Sequence, residues 1–164
     1  MARKNKKLPT FMGVDPGKSG AACLISGVSG NILDFIDWPK SDNYYEVYYQ
    51  TRVWKTKNNI RLCVLEKVAS MHGQGVKSVF SFGKNYGAWL MLLSSLRIPH
   101  QLITPAQWQK GLVTKTDGPD PKSRAKNVCC RLFGHSHFHG PRGGYKDGRG
   151  DASLMAFKAR LLYK

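Results

Sequence analysis

Acidic side chains are scarce in this chain. Ten of its 164 residues are Asp or Glu, and two of those are glutamates, Glu46 and Glu66, against 26 lysines and arginines. The formal net charge of +16 favours a polyanionic partner, because phosphate neutralisation with counterion release rewards a cationic surface. The plainer alternative is a cationic, ribosome-associated or simply solvated protein. CxxC spacing is also lacking. Cys23 and Cys63 sit inside apolar runs and Cys129 and Cys130 are adjacent, a pattern that reads as buried thiols in a reducing compartment rather than a disulfide framework. No apolar run approaches the roughly 20 residues of a membrane span. The start, MARKNKKLPT, has no apolar stretch of the kind that marks a secretory signal. A soluble, unexported protein is expected.

What is present describes one globular domain: 41% hydrophobic and 11% aromatic residues in a length that buries roughly two-thirds of the unfolded surface. Residues 1–9 read as a basic disordered arm and 10–164 as a single domain. TFMGVD (10–15), GAACLISG (20–27) and NILDFIDW (31–38) are short β-rich runs split by turn residues, predicting a three-strand meander. Helical spacing follows over 43–56, then IRLCVLEKV (60–68) as a buried strand, a helix over 78–96, a short strand at 100–104 and a helix opening at Pro105. KTDGPDPKS (115–123) and GHSHFHGPRGGYK (134–146) read as mobile loops around a helix over 122–133, and a last helix begins at Asp147. The order predicts an α/β fold, a mixed sheet covered by helices.

The few acids are oddly placed. Glu66 lies in an apolar strand, where an unpaired carboxylate is costly, and Lys67 would point to the other face. Asp15 closes the first strand just before Pro16 and Gly17; taken alone it also suits a turn. Asp147 and Asp151, at i and i+4 in KDGRGDAS, share one helix face, although an N-cap and a first-turn acid would look the same. If the strand ends converge on that face, four hard oxygen donors suit one or two Mg²⁺ or Mn²⁺ ions and the hydrolysis of a phosphodiester.

GVDPGKSGA, VLEKV, GQGVKSVFSFGKNYGAW, IPHQLITPAQWQK and KDGRGDASLMA together resemble the RuvC-type Holliday-junction resolvases, over nearly all of 10–164 and with a leaning to the phage and organellar branch. The resemblance implies an RNase H-like fold with a mixed five-stranded sheet flanked by helices. It implies a homodimer and a structure-selective endonuclease for four-way or branched DNA, giving 5′-phosphate and 3′-hydroxyl ends. Two Mg²⁺ or Mn²⁺ ions per site would be held by Asp15, Glu66, Asp147 and Asp151, with no small-molecule cofactor or membrane involved. Cytoplasmic, nucleoid-associated work in a bacterial or phage-infected cell follows, an organelle remaining open. The i,i+4 spacing with glycines at 148 and 150 departs from the i,i+3 pair of the bacterial branch, so Asp117 and Asp120 stay as substitutes for Asp151, although their turn-rich context suits solvated loop residues.

The segment after Glu66 is where such enzymes carry groups that enter the junction. Met71, His72, Gly73, Gln74, Gly75, Lys77 and Lys84 form the expected DNA-binding set there, and Lys115, Lys122 and Arg124 extend it. Phe80, Phe82, Tyr86 and Trp89 fit core or interface positions better than base stacking. The helix over 78–96, through an apolar face including Trp89, Leu92 and Leu93, is the expected dimer interface. Cys129, Cys130, His135, His137 and His139 make a poor zinc site, since adjacent cysteines bind one ion badly. A loop imidazole near the phosphate fits better, and solvated histidines fit best. Competing readings are a RuvX-like RNA-processing nuclease and a non-catalytic branched-DNA-binding module, while an actin-like ATPase would need a second domain.

Overall fold

In this computed structural model the described residues are 7–41, 43–67 and 75–163. Three strands open the chain, β1 (Pro9–Asp15), β2 (Ala21–Ser26) and β3 (Ile32–Asp37). They form an antiparallel meander, with Gly13 opposite Cys23 and Cys23 opposite Phe35. Helix α1 (Tyr44–Lys57) returns the chain to β4 (Asn59–Glu66), and α2 (Val76–Ser95) returns it to β5 (His100–Ile103). Both crossovers yield parallel pairs, β1 with β4 and β4 with β5, and the sheet order is β3-β2-β1-β4-β5. The expected mixed five-stranded sheet with flanking helices is therefore present. The strands fall within one or two residues of the predicted runs.

Strand alternation sorts the core into two layers. Met12, Val14, Ala22, Leu24, Cys63 and Leu65 face α1 and α2, where Val47, Trp54, Trp89 and Leu93 meet them. Phe11, Cys23, Ile25, Leu62 and Val64 face the last helix, α5 (Asp147–Leu162), together with α4 (Pro121–Phe133) and the short α3 (Pro105–Gln109). Helix α5 lies directly on β1 because nothing projects from Gly13: a Cβ there would sit 2.1 Å from the carbonyl oxygen of Ala152. Among the described residues no helix is long and apolar enough to cross a membrane.

Four expectations need correction or narrowing. The stretch 115–123 is not one loop: a 3₁₀ turn covers Lys115–Asp117 and α4 already starts at Pro121, N-capped by Asp120. Within 134–146, Phe138 is fully buried against the rings of Phe35, Phe133 and Tyr145, so one apolar anchor ties that polar segment to the core. Trp89 and Leu93, expected at a dimer interface, are 0% exposed in the layer under α2. The 20-residue α2 turns its most apolar side toward its own sheet. Phe80, expected at a core or interface position, is 74% exposed and so is not in the core.

Candidate functional site

Asp15 and Glu66 are the last residues of two adjacent parallel strands whose register places Val14 beside Leu65. They leave the sheet side by side at its carboxyl end, where open α/β sheets place their sites. Period-two alternation turns both toward the α5 face, since Gly13 and Val64 precede them by two. The Gly17 N–H donates to Asp15 Oδ1 at 2.9 Å, so the turn after β1 fixes that carboxylate. Trp108 of α3 aims its indole N–H at Glu66 Oε1 from 3.5 Å, the outer limit of a hydrogen bond. Its helix begins with a capping box between Thr104 and Gln107.

The first turn of α5 brings the other two acids. Lys146, not Asp147, occupies the N-cap position, with no side-chain cap bond, so Asp147 does not spend its carboxylate on capping. Gly148 lets this turn press on the turn after β1, for a Cβ there would lie 2.2 Å from the Ser19 carbonyl oxygen. The turn is bolted from the far side as well. Asp37, at the end of β3, accepts from Arg149 Nε at 2.6 Å, Arg149 Nη2 at 2.9 Å and Lys146 Nζ at 2.7 Å. Burial alone would raise the Asp37 carboxyl, but Arg149 and Lys146 outweigh it and hold it below its ordinary value.

Electrostatics shows which acids share a site. Burial pushes Asp151 up to about 7, and the charges of Asp15, Glu66 and Asp147 add to the rise, opposed by Lys122. Burial first and Asp15 second push Glu66 up to about 7. Asp15 is raised by burial, relieved by the Gly17 N–H and raised again by Asp147. Asp151 thus lies in the field of the other three acids, and Asp15 is coupled to both Glu66 and Asp147. Asp117 and Asp120 are spent elsewhere. Asp117 accepts from Arg131 Nη1 at 2.8 Å and from the Thr114 N–H at 2.7 Å, which hold it down to about 2, and Asp120 accepts from the Ser123 N–H at 2.9 Å. Of the three candidates for the fourth position, Asp151 is the one whose carboxyl feels Asp15, Glu66 and Asp147.

As placed, no three His, Cys, Asp or Glu side chains among the described residues stand close enough to hold one ion. The donor chemistry nevertheless fits a hard divalent cation. Burial and neighbouring carboxylates raise the proton affinity of Asp15, Glu66 and Asp151, and a cation already partners Asp147: Lys122 Nζ lies 2.6 Å from its Oδ2. Zinc at the Cys/His segment is not supported. Cys129 Sγ donates to the Gly150 carbonyl at 3.1 Å, and the His135 and His139 rings stack on each other.

Of the expected DNA-binding residues, Lys122 stands at this centre, paired with Asp147. Met71, His72, Gly73 and Gln74 lie outside the described residues. Gly75 and Lys77 are exposed at the start of α2, Lys84 lies over the Tyr44 ring, and Lys115 is exposed on its 3₁₀ turn. Arg124 directs its guanidinium at the carbonyls of Gly118 and Pro119, at 2.6 and 2.9 Å, clamping a turn rather than projecting to solvent. Sequence reasoning missed Asp37, Trp108 and the Lys122–Asp147 pair. The Thr104–Gln107 capping-box spacing was the available clue to Trp108; for Asp37, 112 residues from Arg149, no local pattern existed.

No family model and no curated protein sequence matches the chain. Solved structures do. A Thermus thermophilus RuvC structure in complex with Holliday junction substrate superposes with a TM-score of 0.63 at 11% identity, over 93% of this chain and 91% of that one. Another Thermus thermophilus RuvC structure gives 0.62 at 13% identity, over 94% and 97%. The chain has the RNase H-like fold of these RuvC structures.

Proposed function

We propose that the chain is a structure-selective endonuclease that resolves four-way DNA, and related branched DNA, by metal-dependent hydrolysis to 5′-phosphate and 3′-hydroxyl ends. The observation that carries this reading is the convergence of Asp15, Glu66, Asp147 and Asp151 at the carboxyl ends of β1 and β4, in a fold shared with a protein solved on a Holliday junction. Mg²⁺ or Mn²⁺ held by these four would activate water and neutralise charge at the scissile phosphate. The chain's own groups do the rest. Asp15, fixed by the Gly17 N–H, and Glu66, facing Trp108, form the inner pair, while Asp147 and Asp151 close the site from α5. Asp147 and Asp151 themselves line a cleft of about 280 Å³ together with Gln109, Lys122, Lys126 and Tyr145, where, with a divalent cation on the carboxylates, the two ammonium groups would suit a phosphate. Lys77, Lys84 and Lys115, with the segment 71–75, would follow the DNA arms outward.

A homodimer accompanies the proposal, because two symmetric nicks need two sites related by a two-fold axis. With Trp89 and Leu93 buried, the exposed Met91 and half-buried Leu92 of α2, facing Tyr44 and Tyr48 of α1, offer an apolar surface to it. The deciding experiment incubates the purified protein and Mg²⁺ with a synthetic four-way junction, equal-length duplex DNA and structured RNA. Cleavage confined to the junction supports the proposal; preferential RNA cleavage, or junction binding without cleavage of anything, overturns it.

A further inference from the structure

Lys122 is the second residue of α4, held in place by the Asp120 cap and by Pro121 at the first helical position. Its ammonium meets Asp147 across the mouth of the acidic site, and its charge is also felt by Asp151. In a chain so rich in cations this one alone, among the described ion pairs, neutralises a residue of the carboxylate cluster. The Lys122 side chain is 75% exposed, so burial does not lock the pair and solvent screens it. It can open at small cost.

We propose that Lys122 is a tethered counter-cation of the carboxylate site: it neutralises Asp147 until a divalent cation displaces it, and the freed ammonium then serves the phosphate in the cleft that Asp147 and Asp151 also line. The inference rests on the nuclease reading of that site. The exchange balances without chemistry, one ammonium leaving Asp147 as one doubly charged ion enters, and no bond to carbon or hydrogen changes. Lys122 already lines the cleft, so release needs rotation of one flexible side chain. The pairing keeps Asp147 from repelling Asp15 and Asp151 before loading, and sets a threshold on the divalent concentration that loads the site.

A mere strut between α4 and α5 makes the opposite prediction. Losing a strut loosens Asp147 and weakens ion binding, whereas losing a competitor strengthens it. The test titrates Mn²⁺ alone into the metal-free full-length chain by calorimetry, for wild type, Lys122→Met, Lys122→Arg and Asp15→Asn. Lys122→Met should bind Mn²⁺ about threefold to tenfold more tightly, the scale of an exposed ion pair opposed by a double charge, and Lys122→Arg should stay near wild type. Metal-free Lys122→Met should also melt at lower temperature than wild type above neutral pH, and recover with saturating Mn²⁺. Unchanged or weaker Mn²⁺ binding by Lys122→Met, with Asp15→Asn binding lost, overturns the counter-cation while sparing the site reading. Equal binding by wild type and Asp15→Asn places the ion elsewhere and overturns both.

Discussion

At the scale of single residues, the central fact is that burial and neighbouring carboxylates raise Asp151 and Glu66 to about 7 from ordinary values of 3.8 and 4.5. A carboxyl whose folded value is raised binds its proton more tightly in the folded state. Its favourable contribution is complete below the ordinary value and is lost as pH climbs through the folded one. Without divalent ions, stability should therefore fall as pH rises from about 4 to about 8, and Mg²⁺ should restore it at the alkaline end. Thermal melts in EDTA and in Mg²⁺ across that range check this; a metal-free protein that gains stability through pH 7 would contradict it. Asp151→Asn should lower cleavage by orders of magnitude. Asp120→Ala should leave cleavage close to wild type while costing about 1 kcal/mol of stability as a lost helix cap, measured by denaturant unfolding. Near-normal cleavage by Asp151→Asn would count against its assignment. The four acids could be singled out in the sequence because acids are so few and two of them end apolar strands. Asp37, Trp108 and the pairing of Lys122 with Asp147 could not be, since each joins partners 25 residues or more apart in the chain, and sequence spacing encodes only neighbours within a turn or a strand.

Among secondary-structure elements, α5 decides the geometry, and small residues decide where α5 lies. Gly13, Ala152 and Ala156 bring its backbone onto β1, and Gly148 seats its first turn on the Ser19 carbonyl. Substituting Gly13→Ala forces a Cβ to within 2.1 Å of backbone oxygen, and neither side is a flexible chain end. A loss of about 1–3 kcal/mol or more follows from such overpacking, with cleavage falling alongside because the helix carries Asp147 and Asp151. Urea unfolding of Gly13→Ala checks this, and unchanged stability would mean that α5 does not rest on β1 in this way. Strands and long helices were readable from periodicity because each buries one face. Phe138 was not, being a lone apolar anchor in a polar stretch, and the face of α2 was misassigned because a helix apolar over much of its surface does not reveal which side its own sheet takes.

For the whole molecule, the +16 charge predicts junction affinity that collapses with salt. A footprint of about six to ten phosphates loses on the order of 10³ to 10⁵ in affinity between 50 and 200 mM salt, and anisotropy titrations with a labelled junction that stayed flat would remove the reason for invoking nucleic acid. Sedimentation at micromolar concentration should show a homodimer that Met91→Glu weakens, and a monomer with and without junction would argue against paired nicking. The account stands or falls on the inner carboxylates. Asp15→Asn and Glu66→Gln keep shape while removing charge, so each variant should fold, bind the four-way junction as tightly as wild type or more so, and cleave it slower by orders of magnitude in Mg²⁺. Folded Asp15→Asn and Glu66→Gln proteins that cleave the junction at the wild-type rate would contradict the metal-site account directly.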